Sequence, residues 1–430
     1  MSDSHLSKRH FLGLMAAVPL GSMVGCGGSS SSGEASLRLV NASGYAALDL
    51  YLDDDLSISS VAYGSASSYT DVSADTVTAA LTSANSATYL LSQSRTLDSD
   101  TKYTAVAYGW QGALKSNLIE DSVDAADSGK TKVTVLNTAS DAGTMDVYLT
   151  ASGDDLEAST PVASAVTGGT SSSVTSVTAG TYRLRVTATE DTDDVRLDVS
   201  GVALASTGVV TLVLMPGPGG VLVHALQLVQ GGAVTALYNT QARVRLVGGV
   251  EGGATVSASV GDVSLLSGAP SPTIGSYKLV SAGSATVNIS VAGSALAAQT
   301  ATLEAGGDYT LLVSGTAAAP TSSMVKDDNR LPTSSSKFKL RLLNAMTGMS
   351  SYPLTLTVDY EAVLSDVAAG TISATVSLNA NDAATMEVSS ALSSTPLYSL
   401  SDTALVAQGI YTVFMFGTGT APSGALRKER

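Results

Sequence analysis

Side chains able to do nucleophilic or metal chemistry are scarce in this 430-residue chain, which has one cysteine, Cys26, and three histidines, His5, His10 and His224. A thiol can act as nucleophile, metal ligand or attachment point, and its surroundings decide which. Cys26 follows Met23, Val24 and Gly25 and precedes Gly27, Gly28 and a run of serines. Upstream lie the basic pair Lys8 and Arg9 and an apolar run from Phe11 to Leu20, broken by Pro19. That run is shorter than the roughly 20 residues a membrane-crossing helix needs. It fits the apolar core of an export signal, which is removed and takes no part in the fold. His5 and His10 leave with such a signal. His224 then remains alone, in VLVHAL (221–226), where it alternates with apolar residues and is predicted to face outward from a strand. A zinc site of several Cys or His ligands is excluded within one mature chain. A Ser-His-Asp triad would have to recruit His224 and one of many serines, so the composition gives it no support.

Carboxylates are the remaining candidates. Glycoside hydrolysis needs two of them about 5–9.5 Å apart. The clusters are Asp53-Asp54-Asp55, Asp154-Asp155, Asp191 with Asp193 and Asp194, and Asp327-Asp328. All fall between strand-like segments, where aspartate suits a turn because its side chain bonds nearby backbone. The same oxygens could bind calcium. None has the spacing of an EF-hand, and Asp327-Asp328-Asn329, beside a predicted joint, is where an ion would stiffen two domains. Trp110 offers either an aromatic platform for a sugar or an ordinary core or rim residue. PGPGG (216–220) and GGVEGG (248–253) lack the Lys-Ser/Thr that follows a phosphate loop and read as hairpin turns. NAS (41–43) and NIS (288–290) match a glycosylation acceptor but read as strand and turn residues. No catalytic, cofactor-binding or metal-binding residue is assigned, and the chain is expected not to be an enzyme.

The segment Met23-Val24-Gly25-Cys26 resembles a bacterial lipobox, with Met23 in place of the more usual leucine. The resemblance implies a signal peptide at 1–25 and a diacylglycerol on the sulfur of Cys26. Acyl burial stabilises membrane attachment by about 0.8 kcal/mol per CH₂, so several chains hold firmly where one does not. Gly27 stands where an aspartate would imply inner-membrane retention. By similarity to Gram-negative lipoproteins, the expected location is the outer membrane, with the domains periplasmic or surface-exposed. SKRHFL (7–12) is also similar to a twin-arginine motif with Lys8 for the first arginine, a receptor-read address. An ordinary basic n-region accounts for the same residues, so the export route stays open.

The net charge of −15 becomes −16 without residues 1–25, which carry +1. Nucleic acid binding depends on Lys and Arg neutralising phosphates, so nucleic acid is not an expected partner. Charged residues are only 14% and hydrophobic residues 44%, which is not the composition of a disordered chain. The core-forming side chains are small, with 4 Phe and 1 Trp. No disulfide can form within the mature chain, and its length exceeds one ordinary domain of roughly 100–200 residues.

A recurring strand organises the rest. LRLVN (37–41) returns as VTVLN (133–137), VRLVG (244–248) and LRLLN (340–344), with starts 96, 111 and 96 residues apart. Self-similarity at this length indicates tandem domains rather than a solenoid. DLYL (49–52) matches DVYL (146–149). Turns SADT (73–76), TAGT (178–181), SAGS (281–284) and NAND (379–382) keep register, and late strands YTAVAY (103–108), VVTLVL (209–214), YTLLV (309–313) and YTVFMF (411–416) close each unit. Alternation of β-branched and aromatic residues between Gly, Ser, Asn and Asp marks strands. Turn signals every 8–12 residues predict sandwiches. The expected chain is all-β, four tandem immunoglobulin-like antiparallel β-sandwiches at 36–126, 130–236, 241–332 and 337–430, after a flexible tether at 26–35. Short polar joints, DSGK (127–130) and PTSSSK (332–337), predict a semi-rigid rod or curved chain of domains.

These motifs together resemble the family called domain of unknown function 4397, in four copies across nearly the whole mature chain. The second copy is nearest the pattern. The third lacks the Asn and the Asp-x-Tyr, and the fourth has TVDY (357–360) instead. The resemblance implies an extracytoplasmic β-sandwich and no catalytic residues or cofactors. The functional expectation is a lipid-anchored envelope protein presenting its domains for binding, adhesion or structural roles. Its partners would be the membrane, through the lipid, and an envelope protein or polysaccharide, by strand addition at an open edge among other modes. A carbohydrate-binding array and a carboxylate-dependent hydrolase are the alternatives. Oligomeric state is left open.

Overall fold

The computed structural model describes residues 33–430. The signal segment 1–25, Cys26 and most of the tether lie outside the described residues. Within them there is no α-helix, only strands and two single-turn 3₁₀ segments, Ser140–Ala142 and Glu251–Gly253. The strands form eight sheets. These close in pairs around four hydrophobic cores, giving four immunoglobulin-like sandwiches in tandem.

The first sandwich shows the plan. Its inner sheet runs Ser65–Ala66, Glu34–Ser43, Lys102–Gly109, Lys115–Glu120, with Thr70–Ser73 also paired to Glu34–Ser43. Its outer sheet runs Asp55–Ala62, Ala47–Leu52, Thr76–Ser83, Tyr89–Thr96. Antiparallel pairing dominates, with one parallel pair in each sandwich. The repeated first strand lies parallel to the late strand, in the same register every time: Leu37 opposite Tyr103, Val133 opposite Val210, Val244 opposite Tyr309, Leu340 opposite Tyr411. A parallel pair needs a long crossover, and the intervening chain supplies it by building the outer sheet.

The repeated polar residues are structural staples. Asn41, Asn137 and Asn344 are wholly buried at the ends of the first strands. Each amide donates to a carbonyl of the opposite sheet (Val61, Val166 and Val367, at 3.0, 2.8 and 2.9 Å) and accepts the N–H two residues ahead. Asp49 accepts the N–H groups of Ser60 and Asn85, and Asp146 those of Ala165 and Glu190. All four donors belong to residues with positive φ, so the carboxylates secure strained backbone. In the third copy Ser257 takes over, bonding the N–H of Gly268. The late-strand tyrosines Tyr103, Tyr309 and Tyr411 each accept the N–H five residues upstream, from Asp98, Glu304 and Val406. That is the arrangement of a tyrosine corner.

The sandwiches do not form a rod joined end to end. They pack sheet against sheet in two pairs. Val40, Ala42, Val106 and Tyr108 of the first meet Leu136, Val213, Met215 and Leu226 of the second. Val247 and Leu312 of the third meet Leu343, Ala345, Phe414 and Phe416 of the fourth. The joints are short because the chain folds back, and the outward face of each inner sheet is too apolar to stand in water. Burying one such large side chain contributes about 1.5–3 kcal/mol. Gly249 is required here: a Cβ would sit 2.5 Å from Cβ of Ala345 in the facing sheet.

Buried ion pairs lock the third and fourth sandwiches reciprocally. Arg245 of the third reaches both carboxylate oxygens of Glu429 of the fourth at 2.8 Å. Arg341 of the fourth reaches Asp327 of the third at 2.8 Å. All four side chains are at most 3% exposed. In the first pair, Arg38 donates instead to the carbonyls of Gly232 and Val229 in the second sandwich, and Thr134 stands where the other copies carry arginine.

Two predictions follow the buried groups. Asn344→Ala leaves Val367 C=O and Met346 N–H without partners, and is expected to lower stability by about 2–3 kcal/mol in denaturant titration. Arg245→Leu alone removes both 2.8 Å contacts of Glu429, leaving it only Arg341 at 3.8 Å and Arg427 at 4.0 Å, and is expected to cost about 3–5 kcal/mol, whereas Arg245→Leu with Glu429→Leu recovers most of that loss. A double variant as unstable as the single would contradict this account of the interface.

Candidate binding cleft

The two sandwich pairs meet around Trp110, which leaves the end of the strand Lys102–Gly109. Thr316 and Thr418 occupy the corresponding position after Gly315 and Gly417 in the third and fourth copies, so the indole is particular to the first. Its N–H donates to the carboxylate of Asp141 in the second sandwich. The guanidinium of Arg330, in the linker to the fourth, lies 4.7 Å from the ring centroid. Gly44 packs so closely that a Cβ there would come within 2.4 Å of Cε3. The ring is therefore engaged as a joint residue, the rim reading, and is not free as a flat sugar platform.

Asp141 is 8% exposed. Burial pushes its carboxyl above the ordinary carboxylate range, against the pull of the Trp110 N–H and of Arg430, Lys339 and Arg330. Arg430 enters the same junction. It donates to the carbonyls of Gly220 (2.8 Å), Asn329 (3.1 Å) and Asp141. Burial lowers its pKa to about 10. The glycine-rich segment 216–220 is a hairpin turn, as its composition predicts, and also a docking loop. Gly219 N–H bonds Gly306 C=O of the third sandwich at 3.0 Å. Gly220 has φ +89°, and a Cβ would lie 2.6 Å from the backbone nitrogen of Arg330.

The acidic clusters divide by environment. Asp53 and Asp54, both with positive φ, are the two central residues of a hairpin that closes on Leu52 opposite Asp55; positive φ at both positions is the mark of a type I′ turn. Asp154 and Asp155 bond backbone N–H groups within their own loop. Asp191 bonds the N–H groups of Asp193 and Asp194, and Asp194 pairs with Arg196. Asp327 and Asp328 differ from the turn expectation. Asp327 is 2% exposed and accepts from Tyr277, Thr310 and Arg341. Burial pushes Asp328 up, but hydrogen bonds from Arg330 and Lys339 outweigh it and hold its pKa at about 2. The proposed calcium position at this joint is thus filled by protein cations, and Asn329 bridges Asp308 and Arg341. Among the described residues no group of three His, Cys, Asp or Glu side chains is arranged to hold a metal.

His224 departs from expectation. It does face away from its own core, but the neighbouring sandwiches cover that face and leave it 5% exposed. Its Nδ1 accepts the N–H of Asn239 at 3.0 Å, so the ring proton belongs on Nε2. Tyr238 packs edge-on with ring centroids 5.3 Å apart. Burial lowers its pKa to about 4, slightly opposed by Glu304.

The junction leaves a cleft of about 310 Å³ lined by Tyr45, Tyr63, Trp110, Pro216, His224 and Glu304, from three sandwiches. A neighbouring cleft of about 240 Å³ shares Trp110 and Pro216 and adds Asp141, Lys115 and Gln408. A third, of about 440 Å³ and more polar, lies where the second sandwich passes into the third, with Arg183, Asp198, Asn239 and Gln241 on its walls. Sequence reasoning weighed Trp110 and His224 separately and missed Tyr45, Tyr63 and Glu304. The available clue was the late strands, apolar on both faces, which signals sheets covered on both sides.

A family model described as a domain of unknown function (DUF4397) matches residues 35–148 and 242–351, together more than half of the chain. Each match starts with the first strand of one sandwich and runs into the leading strands of its packing partner. No curated protein matches the chain in sequence. Among solved structures, the product complex of a multi-modular glycogen-degrading pneumococcal virulence factor, SpuA, is similar over 62% of this chain and 37% of that one, at 9% identity and a TM-score of 0.15. That overlap is too poor to inform on fold or activity.

His224 gives a pH prediction. Its pKa is lower folded than unfolded, so the unfolded chain takes up the proton first as pH falls. The stabilisation is complete above about pH 6.5 and is lost progressively down to about pH 4. The expected loss is about 3 kcal/mol. His224→Gln should abolish that part of the acid slope in stability measurements, and an unchanged slope would assign it elsewhere.

Proposed function

The chain belongs to the DUF4397 family, and from that premise we propose that it is a non-enzymatic, lipid-anchored protein of the cell envelope whose four sandwiches act as one binding body. Cys26 carries the lipid, residues 26–35 form the tether, and the packed sandwiches hold the binding surface away from the membrane. The observation that carries the binding reading is convergence. Three sandwiches contribute side chains to one cleft, including the only tryptophan of the chain and the only histidine among the described residues. The apolar interface between the first two sandwiches, the Trp110–Asp141 bond and the Gly219–Gly306 backbone bond to the third fix those contributions relative to one another, which is the preorganisation a binding site requires. The outer-membrane location rests on the sequence around Cys26.

A second reading draws on the polar cleft between the second and third sandwiches. Its guanidinium–carboxylate pair, Arg183 with Asp198 at 2.7 and 2.5 Å, and its amide side chains suit hydroxyl groups of a saccharide. The engaged ring of Trp110 removes the stacking surface that such a reading would draw from the neighbouring clefts.

Metabolic labelling with a fatty-acid probe tests the anchor. The wild-type chain should be labelled and membrane-associated, and Cys26→Ala should be neither. Labelling that survives the substitution would remove Cys26 as the attachment point. Protease treatment of intact cells, with a periplasmic protein as leak control, distinguishes surface-exposed from periplasmic domains.

A further inference from the structure

We propose that the cleft between the first three sandwiches binds a small organic cation of the quaternary or alkylated ammonium class. The proposal rests on the reading of the chain as a binding body and names the ligand chemistry of that body. Aromatic residues are only 5% of the sequence, yet Tyr45, Tyr63, Trp110 and the imidazole of His224 gather on this one cleft, with Pro216 beside them. Aromatic faces attract cations through the ring quadrupole; Arg330 already stacks on Trp110, so Tyr45 and Tyr63 are the rings left to receive a ligand, and the indole stands beside them as a reporter. The protein already uses this interaction repeatedly. Arg38 lies over Tyr69, Arg245 over Tyr277, and Arg330 over Trp110, each at 4.7 Å from the ring centroid.

The charges at the cleft favour the same ligand. Glu304 is the one carboxylate on its wall. Its partner Lys326 belongs to the same sandwich, and the two side chains are 57% and 47% exposed. An exposed pair of this kind is worth at most about 1 kcal/mol, so the carboxylate remains available to an incoming cation. The depressed pKa of His224 keeps the imidazole neutral near pH 7, and it adds no opposing charge. Arg330 behind the indole is paired with Asp328 at 2.6 Å, a carboxylate it shares with Lys339. An anion would meet Glu304 without a free cation on the wall to receive it. The volume of about 310 Å³ suits a small ligand.

Trp110 is the only tryptophan, so its emission reports directly on the cleft. Full-length protein is titrated at neutral pH with choline chloride, against sodium chloride at equal ionic strength and against glucose. The proposal expects a saturable change in emission with choline alone. It expects at least tenfold weaker binding in Glu304→Gln and in Tyr63→Leu, each checked for intact fold by circular dichroism. Equal responses to choline and sodium chloride would overturn it, as would a Glu304→Gln variant that binds choline like the wild type. Vesicles of phosphatidylcholine separate the two sources of this chemistry: sedimentation with vesicles identifies a lipid headgroup, and a response to choline without sedimentation identifies a free ligand. Failure of the choline titration alongside normal lipid labelling at Cys26 would remove the ligand and leave the anchor standing.

Discussion

The architecture depends on a sheet that is apolar on both sides. In each unit the first and late strands lie side by side and send alternate residues into their own core. Their remaining side chains, such as Val40, Val106, Leu312 and Phe414, are almost as hydrophobic and equally buried. A single sandwich would expose that face to water. The chain meets the cost by folding each unit back on its neighbour, so that two inner sheets cover one another. The outer sheets have no such need. Their strands alternate buried with exposed residues, as in Gly283–Val291, and face solvent.

This pairing has an electrostatic consequence. An arginine in the middle of the first strand, on the outward face, becomes buried once the sheets meet. Desolvated charges are tolerated when paired and hydrogen-bonded. In the third and fourth sandwiches the answer is reciprocal, with Arg245 and Arg341 each crossing to a carboxylate at the end of the partner's last strand. In the first pair Arg38 meets backbone carbonyls of the second sandwich and Asp121 of its own at 3.5 Å, and Gln230, in the turn after Val223–Val229, bonds the backbone of Val123 in the first sandwich. The position is thus kept polar in all four copies while its partner differs. Such pairs fix orientation more than they add stability, because much of the Coulomb gain offsets desolvation.

The candidate cleft follows from where the two pairs touch. Residues that are unremarkable turn positions within one unit become neighbours there. Gly217–Gly220 closes a hairpin in the second sandwich and also admits the third, because glycine permits backbone to approach backbone. Trp110 ends a strand in the first sandwich and is held by Asp141 of the second and Arg330 of the linker.

The amino-acid sequence by itself determined the all-β class, the number of repeats and the recurrence of their first and late strands. Those features depend on local alternation, turn chemistry and recurrence, which are written along the chain. It also determined the resemblance of the Cys26 segment to a lipidation signal, which is a local motif. What the buried Asn and Asp residues do was only half legible. Their recurrence marked them, but the carbonyls and N–H groups they satisfy lie on the opposite sheet. Only the tertiary structure decided that the sandwiches pair face to face, that Asp327 and Asp328 serve arginine and lysine rather than a turn or an ion, and that His224 is covered. Each of these depends on which surface of one domain meets another. That choice is made by the sum of many weak contacts between residues far apart in sequence, and no short stretch of the chain encodes it.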